Sequence, residues 1–187
     1  EYTFFDFIVP ELNACLQRDV IAERLIEQAF TNTDLRVRSL KRVTPAFIYA
    51  ALLWPIVAQC SKEYREQGEA PLSALRRAAD KALSRQVTVT AIPKRFSIPM
   101  REIWELQLSL PRRAGARAER LCSHPRFRAA YDFVLLREES GEDLEGLGDW
   151  WTRYQECNPQ ERLDMAAQIK EPRRSRTRRR RPKTRKD

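Results

Sequence analysis

Apolar residues recur along this chain at the three- and four-residue spacing of an α-helix, and this periodicity is the strongest constraint on its fold. In the first such stretch, which Asp19 opens as N-cap, the apolar residues on one predicted face are Val20, Ile21, Leu25, Ile26, Ala29 and Phe30. Only residues 87–91 (VTVTA) alternate like a strand, and they equally fit the frayed end of a helix. We therefore predict an all-α fold, an irregular array of seven to nine helices.

Prolines mark several of the predicted helix boundaries. Thr44 followed by Pro45 predicts a helix start, and Pro55 is expected to kink or interrupt that helix. A third helix follows Pro71, and its predicted apolar face consists of Leu72, Leu75, Ala79 and Leu83. Further helices are predicted over residues 99–110, 112–122, 126–137, 143–154 and 159–169.

The chain carries no pattern typical of secretion, membrane insertion or a zinc site. It begins with Glu1 rather than Met, and we expect a fragment or processed product without a signal peptide. The apolar run 46–58 is shorter than the roughly 20 residues of a membrane span. The single histidine is His124, and the cysteines are far apart. We favour reduced thiols in a cytoplasmic protein over two disulfides. The four cysteines are Cys15, Cys60, Cys122 and Cys157.

The net charge of +9 is distributed in blocks. Residues 1–93 carry +1, residues 94–128 carry +6, residues 129–170 carry −6 and residues 171–187 carry +8. We interpret residues 1–93 as a helical body, residues 94–170 as a second helical domain with a basic surface, and residues 171–187 as a disordered arginine-rich tail. This distribution favours a polyanionic partner.

No residue pattern in the chain predicts catalysis. There is no glycine-rich phosphate loop and no D-x-D pair that would hold magnesium. The acidic residues between positions 138 and 143 are interpreted as a solvated turn, and His124 as a structural residue at a helix start. We expect no catalytic, cofactor-binding or metal-binding residue in this chain.

The internal basic segment is the better candidate for a binding surface. Arg113, Arg117 and Arg120 are predicted to share one helical face next to Arg112, and guanidinium groups match phosphate oxygens. Lys94 and Arg95 are expected to join this surface. The alternative is a solvated charged face. The aromatic residues nearby, which either stack on bases or belong to the core, are Phe96, Trp104 and Phe127, and we assign Trp104 to the core.

The tail predicts salt-dependent affinity for any nucleic acid, because ten of its seventeen residues are basic. A localisation signal, or a tail that folds back on the acidic block, remains an alternative. The tail arginines that we predict to contact RNA are Arg173, Arg174, Arg176, Arg178, Arg179, Arg180 and Arg181.

Four stretches, in this order and spacing, carry a resemblance to a known family. They are residues 24–54 (RLIEQAFTNTDLRVRSLKRVTPAFIYAALLW), 91–107 (AIPKRFSIPMREIWELQ), 112–136 (RRAGARAERLCSHPRFRAAYDFVLL), and Trp150 and Trp151 followed by the arginine-rich tail. Together they resemble the C-terminal half of bacterial poly(A) polymerase, a member of the nucleotidyltransferase superfamily that also contains the tRNA CCA-adding enzymes.

The resemblance implies a helical body that holds RNA within an enzyme that adds AMP from ATP to RNA 3′ ends with Mg²⁺, in RNA processing and decay. The Gly-Ser motif and paired aspartates of the family's catalytic head do not occur here, so we expect this chain alone to be catalytically silent. Trp104, Tyr131 and Phe133 match the family pattern and are assigned to packing. The internal residues expected to face RNA are Lys94, Arg95, Arg112, Arg113, Arg117, Arg120, Arg126 and Arg128.

Two other functions remain open at this point. One is a stand-alone helical RNA-binding or adaptor protein, and the other is a fragment of a tRNA CCA-adding enzyme. For the protein we expect a monomer in the bacterial cytoplasm, RNA as the partner and no membrane contact.

Overall fold

The computed structural model describes residues 12–169, and this part of the chain is all-α, as predicted, with nine helices and no strand. The predicted disorder of the tail, and the seven tail arginines predicted to contact RNA, lie outside the described residues. The helices are α1 (Leu12–Leu16), α2 (Val20–Arg38), α3 (Pro45–Glu66), α4 (Pro71–Val87), α5 (Lys94–Ser109), α6 (Ala116–Cys122), α7 (Phe127–Glu139), α8 (Leu147–Glu156) and α9 (Pro159–Ala167).

Local sequence signals account for several helix starts. The Asp19 carboxylate accepts hydrogen bonds from the backbone N–H groups of Ile21 (2.9 Å) and Ala22 (3.3 Å), so it caps α2 as predicted. The Asn158 and Glu161 side chains form a reciprocal capping box at α9. The prolines that begin α3, α4 and α9 occupy a position where the missing N–H costs nothing.

The predicted buried faces of α2 and α4 were partly wrong. Val20, Ile21 and Phe30 of α2 are exposed, as is Leu72 of α4. The buried face of α2 is narrower than the apolar pattern, because only one strip of the helix packs against α3 and α7. This strip consists of Ala22, Leu25, Ile26 and Ala29.

Two prolines lie inside helices, where the sequence predicted breaks. Pro55 was predicted to kink or interrupt α3, and because the helix is continuous through this buried residue, the interruption does not occur. Helix α5 begins at Lys94 rather than at Pro99, because the Pro93 carbonyl accepts the N–H groups of Phe96 (2.8 Å) and Ser97 (3.1 Å). An internal proline costs about 3 kcal/mol. Packing of α3 against α1, α2, α4, α5 and α7 offsets that cost for Pro55.

Two hydrophobic clusters form the core. The first surrounds α3 and takes residues from α1, α2, α4, α5 and α7, while the second lies among α6, α7, α8 and α9. Trp104 is completely buried in the first cluster, and its Nε1 donates to the Ala50 carbonyl at 3.1 Å. Tyr131 and Phe133 are buried as well, which confirms the packing roles predicted for all three. Helices α5 and α7 contribute to both clusters.

A buried arginine joins the two clusters. Arg137 is 9% exposed, and its Nη1 donates to Gln107 Oε1 at 3.0 Å. Its guanidinium also pairs with Glu142 and lies 5.0 Å from the centroid of the Trp54 ring. The Gln107 Nε2 in turn donates to the Ala130 carbonyl at 3.1 Å. Polar groups of α5 and α7 therefore meet α3 at the junction between the cores.

The remaining sequence features have plain structural counterparts. All four cysteines are free thiols, and only Cys60 is buried. Residues 88 and 89, where strand-like alternation was noted, form a turn after α4. None of the helices between residues 12 and 169 combines the length and apolar character needed to cross a bilayer.

Candidate nucleic-acid interface

Three of the predicted arginines surround one open pocket at the junction of α5 and α6. The pocket has a volume of about 390 Å³ and is open to solvent. Its lining residues are Ser109, Arg112, Arg117, Arg120 and Leu121. Ser109 and Leu121 were not predicted as site residues.

The loop that carries Arg112 into the pocket is held at both ends. At its start, the buried Leu110 accepts a hydrogen bond from Trp151 Nε1 through its carbonyl at 3.3 Å. At its end, the Gly115 N–H donates to the Ala166 carbonyl at 3.0 Å. Gly115 has a φ of +55°, a conformation that glycine adopts without strain, and α6 begins at the next residue. The chain therefore turns sharply between the two sides of the pocket.

Arg113 lies outside this pocket, and the predicted helical face was wrong for it. Because α6 begins at Ala116, Arg113 lies in the preceding loop rather than on the face of Arg117 and Arg120. Its guanidinium lies 5.1 Å from the Trp150 ring centroid, and its Nε is buried with no hydrogen-bond partner among residues 12–169. Burial lowers the pKa of Arg113 below its usual value, and the charge of Glu145 opposes this effect.

All the charged residues that line the pocket are arginines. Arg112, Arg117 and Arg120 are exposed, and Arg112 and Arg120 form no ion pair with any residue between 12 and 169. The nearest acidic residue in sequence, Glu119, is directed elsewhere, because its Oε2 accepts the Tyr154 hydroxyl at 3.0 Å and lies 3.9 Å from Arg162. The arrangement leaves positive charge available to an anion.

Stacked aromatic and cationic groups form the support behind α6. The Trp150 and Tyr154 rings stack with their centroids 4.9 Å apart, and the Arg162 guanidinium lies 5.4 Å from the Tyr154 ring. Burial, followed by the hydrogen bond and charge of Glu119, raises the pKa of Tyr154 to about 12. These contacts connect α6, α8 and α9 and fix the helix that carries two of the pocket arginines.

Arg126 and Arg128 lie at the start of α7, and each already has a carboxylate partner. Arg126 Nε is 2.8 Å from Glu102 Oε2, and Arg128 Nε is 3.1 Å from Asp132 Oδ1. The Arg128 guanidinium also lies 5.2 Å from the Tyr131 ring centroid. Burial raises the pKa of Asp132, although the charges of Arg128 and Arg36 act in the opposite direction. The Arg126–Glu102 pair is exposed, and a pair of this kind contributes about 0–1 kcal/mol and opens readily for a competing phosphate.

Lys94 and Arg95 are not part of the pocket. They lie in the first turn of α5, about 22 Å along the helix from Ser109. The Arg95 guanidinium lies 4.9 Å from the ring centroid of the half-buried Phe96. The structure therefore separates these two residues from the arginines with which the sequence grouped them.

Two other candidates are structural. His124 Nδ1 accepts the Arg126 N–H at 3.1 Å and so stabilises the turn between α6 and α7. Phe127 is buried against Trp151, with ring centroids 5.0 Å apart, and does not offer a face to a base. No group of three or more His, Cys, Asp or Glu side chains within residues 12–169 is placed to hold a metal ion.

Comparison with known proteins adds independent evidence. The family described as "Polymerase A arginine-rich C-terminus" matches residues 67–186. The chain is 37% identical over 190 residues to the poly(A) polymerase I of Salmonella typhi and to that of Escherichia coli O157:H7, and these alignments cover 99% of the chain. It is 35% identical over 170 residues to the poly(A) polymerase I of Haemophilus influenzae. The chain spans 41% of the length of the first two relatives and 37% of the third.

Proposed function

Because this chain belongs to the polymerase A arginine-rich C-terminus family, we propose that it is the RNA-holding portion of a bacterial poly(A) polymerase. The resemblance that the sequence predicted is confirmed over nearly the whole chain. In this proposal the pocket of Arg112, Arg117 and Arg120 binds backbone phosphates of the RNA whose 3′ end is extended.

The proposed reaction of the whole protein is the addition of AMP from ATP to RNA 3′ ends with Mg²⁺. The described residues offer no grouping of ligands that would hold Mg²⁺, so we assign no step of the transfer to them. Their proposed role is to retain the strand while other parts of the enzyme perform the chemistry. We further propose that the enzyme acts as a monomer in the bacterial cytoplasm.

The availability of Arg112 and Arg120 is the observation that carries the proposal. An arginine already paired with a carboxylate must exchange that partner for a phosphate, whereas these two side chains have no such partner among residues 12–169. The pocket also has Ser109 at its edge, whose hydroxyl is a further donor. Guanidinium groups on two sides of a concave surface suit a phosphate better than a flat charged face does.

The test is a salt titration of RNA binding with the full 187-residue chain. A single-stranded RNA of about 20 nucleotides is titrated with wild type and with a pocket variant, Arg112→Gln, Arg117→Gln and Arg120→Gln. Each lost phosphate contact should flatten the slope of log K against log salt by about 0.7, so we expect a change of about 2 for the pocket variant.

A matched control removes three positive charges from other places. Arg18, Lys62 and Arg65 are exposed and form no ion pair within the described part of the chain. Their combined change to glutamine lowers the net charge equally and should leave the slope unchanged. Equal slopes for the pocket and control variants would show that the pocket makes no specific contribution.

The tail is tested in the same assay. Deletion of residues 171–187 removes ten basic side chains, and we expect the slope to fall by several units because counterion release scales with the number of phosphate contacts. An unchanged slope after this deletion would exclude the tail from RNA binding. Its seven predicted arginine contacts would then be wrong.

A separate assay decides between poly(A) and CCA synthesis. The relatives reported above carry the name poly(A) polymerase I, which favours the first activity. The full-length enzyme incubated with ATP, CTP and an RNA primer should add A residues alone. Incorporation of CTP would identify a CCA-adding enzyme instead, and no extension at all would favour an adaptor.

A further inference from the structure

We propose that the turn at the end of α2, residues 36–42, is a second site for the RNA backbone, separate from the pocket. We call this segment the basic turn. The inference rests on the proposed function, since it assigns a second contact to the same ligand. It predicts that one strand contacts the pocket, the start of α7 and the basic turn.

The basic turn is the densest positive segment within residues 12–169. Four of its seven residues are Arg36, Arg38, Lys41 and Arg42, and all four are exposed. No acidic residue occurs from position 35 to position 62. Within the described part of the chain, Arg38, Lys41 and Arg42 form no ion pair. Their charge is therefore not neutralised locally, although residues 1–93 as a whole are nearly neutral.

Hydrogen bonds hold the basic turn in one conformation. The Lys41 N–H donates to the Arg36 carbonyl at 2.8 Å, and the Leu40 N–H donates to the Val37 carbonyl at 3.0 Å. Arg36 Nη2 donates to the Arg42 carbonyl at 3.3 Å. Because its backbone is already ordered, the basic turn loses less conformational entropy on binding than a flexible chain would.

The centre of the turn exposes an apolar side chain that the fold does not use. Leu40 has a φ of +54° and is 95% exposed. A left-handed conformation is unfavourable for leucine, and no packing of its side chain compensates for it. Leu40 lies in the sequence between Arg38 and Lys41, and its exposed side chain is available to contact a base while the cations bind phosphates.

The basic turn adjoins the positive end of α7. The charge of Arg36 acts on Asp132, whose carboxylate is also the partner of Arg128. Arg128 and Asp132 are one helical turn apart, about 6 Å along the axis. Arg36 and Arg128 both act on the Asp132 carboxylate, whereas Arg38, Lys41 and Arg42 have no ion-pair partner within residues 12–169, so positive charge remains on this surface.

The start of α7 is also close to the pocket along the chain. Only four residues separate the end of α6, which carries two pocket arginines, from the start of α7. The proposed order of contacts along the strand is pocket, start of α7 and basic turn. A row of cations following one path is what a flexible polyanion requires, and a strand of single-stranded RNA has this character.

The test uses the full chain, the 20-nucleotide RNA and the control variant described above. The turn variant carries Arg38→Gln, Lys41→Gln and Arg42→Gln, and leaves Arg36 in place because it holds the Arg42 carbonyl. We expect its salt slope to fall by about 2 relative to wild type, and the slope changes of the turn and pocket variants to add when they are combined. Circular dichroism checks that the helix content is unchanged, and the single variant Lys41→Gln should lower the slope by about 0.7 if the triple variant unfolds.

A second readout locates the strand. A photo-crosslinking amino acid at Leu40 should label the RNA, whereas the same probe at Leu163, another exposed leucine on α9, should not. If the salt slope of RNA binding falls only in the pocket variant, and the probes at positions 40 and 163 label the RNA equally, the second site is overturned and the proposed function stands. If the pocket variant and the turn variant both have the salt slope of the control variant, the second site and the proposed function are both overturned. If the turn variant loses binding to phosphatidylserine vesicles while its salt slope for RNA is unchanged, the basic turn binds a membrane surface instead.

Discussion

Arg137 provides the sharpest test of how the two hydrophobic clusters are held together. The change Arg137→Met keeps most of the side chain's length but removes the guanidinium. Gln107 Oε1, in a residue only 5% exposed, then loses the donor at 3.0 Å, and Trp54 loses its cationic neighbour. We expect the free energy of unfolding to fall as a result.

The magnitude follows from what each partner loses. An acceptor left buried without a donor costs about 1–3 kcal/mol. The contact with Trp54 contributes about 1 kcal/mol. The Glu142 carboxylate is about one-third exposed, so water replaces much of what it loses. We expect a net loss of about 3 kcal/mol, which for a chain of this length lowers Tm by roughly 6–12 °C.

Thermal unfolding followed by circular dichroism measures this effect. Arg153→Met on the exposed side of α8 is the matched control, and surface changes of that kind stay within about 0.5 kcal/mol. The double variant Arg137→Met and Gln107→Leu should lose less stability than the sum of the single variants, because it leaves no orphaned acceptor. The reasoning is refuted if Arg137→Met matches the control, or if the two single effects simply add.

Two further predictions concern α8. Gly148→Ala should destabilise the protein by about 1–3 kcal/mol in urea unfolding, because the added Cβ would overlap the Glu138 carboxylate and approach Leu135 Cδ2 to 2.8 Å. Unchanged stability would mean that the Glu138 and Leu135 side chains rotate away at no cost. The raised pKa of Tyr154 predicts a contribution to stability that is complete below pH 10 and is lost as the pH rises to about 12. Tyr154→Phe should remove this alkaline step from the pH dependence of Tm, and an identical step in both proteins would assign it to another group.

Much of the fold could be predicted from the sequence because helical signals are local. The apolar spacing and the prolines at positions 45, 71 and 159 identified the helices and three of their starts. Local signals did not predict whether the prolines inside helices would break them. Whether Pro55 breaks α3 depends on how well five neighbouring helices pack around it, and that is a property of the folded chain.

The candidate site was likewise predictable only in part. Arg117 and Arg120 are three residues apart on one helix, so their shared face was predictable. Arg113 was placed on that face because the positive φ of Gly115, which delays the helix start, went unrecognised. The basic turn escaped notice for a different reason, since its charge is averaged away within the nearly neutral residues 1–93. Charge summed over long blocks cannot reveal a cluster of seven residues.

The sharing of α5 between two cores affects how the protein can be divided. The family match begins at residue 67, which makes it tempting to excise the matched part as an independent module. Met100, Ile103 and Trp104 of α5 and the buried face of α4 pack on α3, which lies before that residue. A polypeptide that starts at residue 67 would expose this apolar surface to water. The segment matched by the family model is therefore smaller than the unit that shares this core.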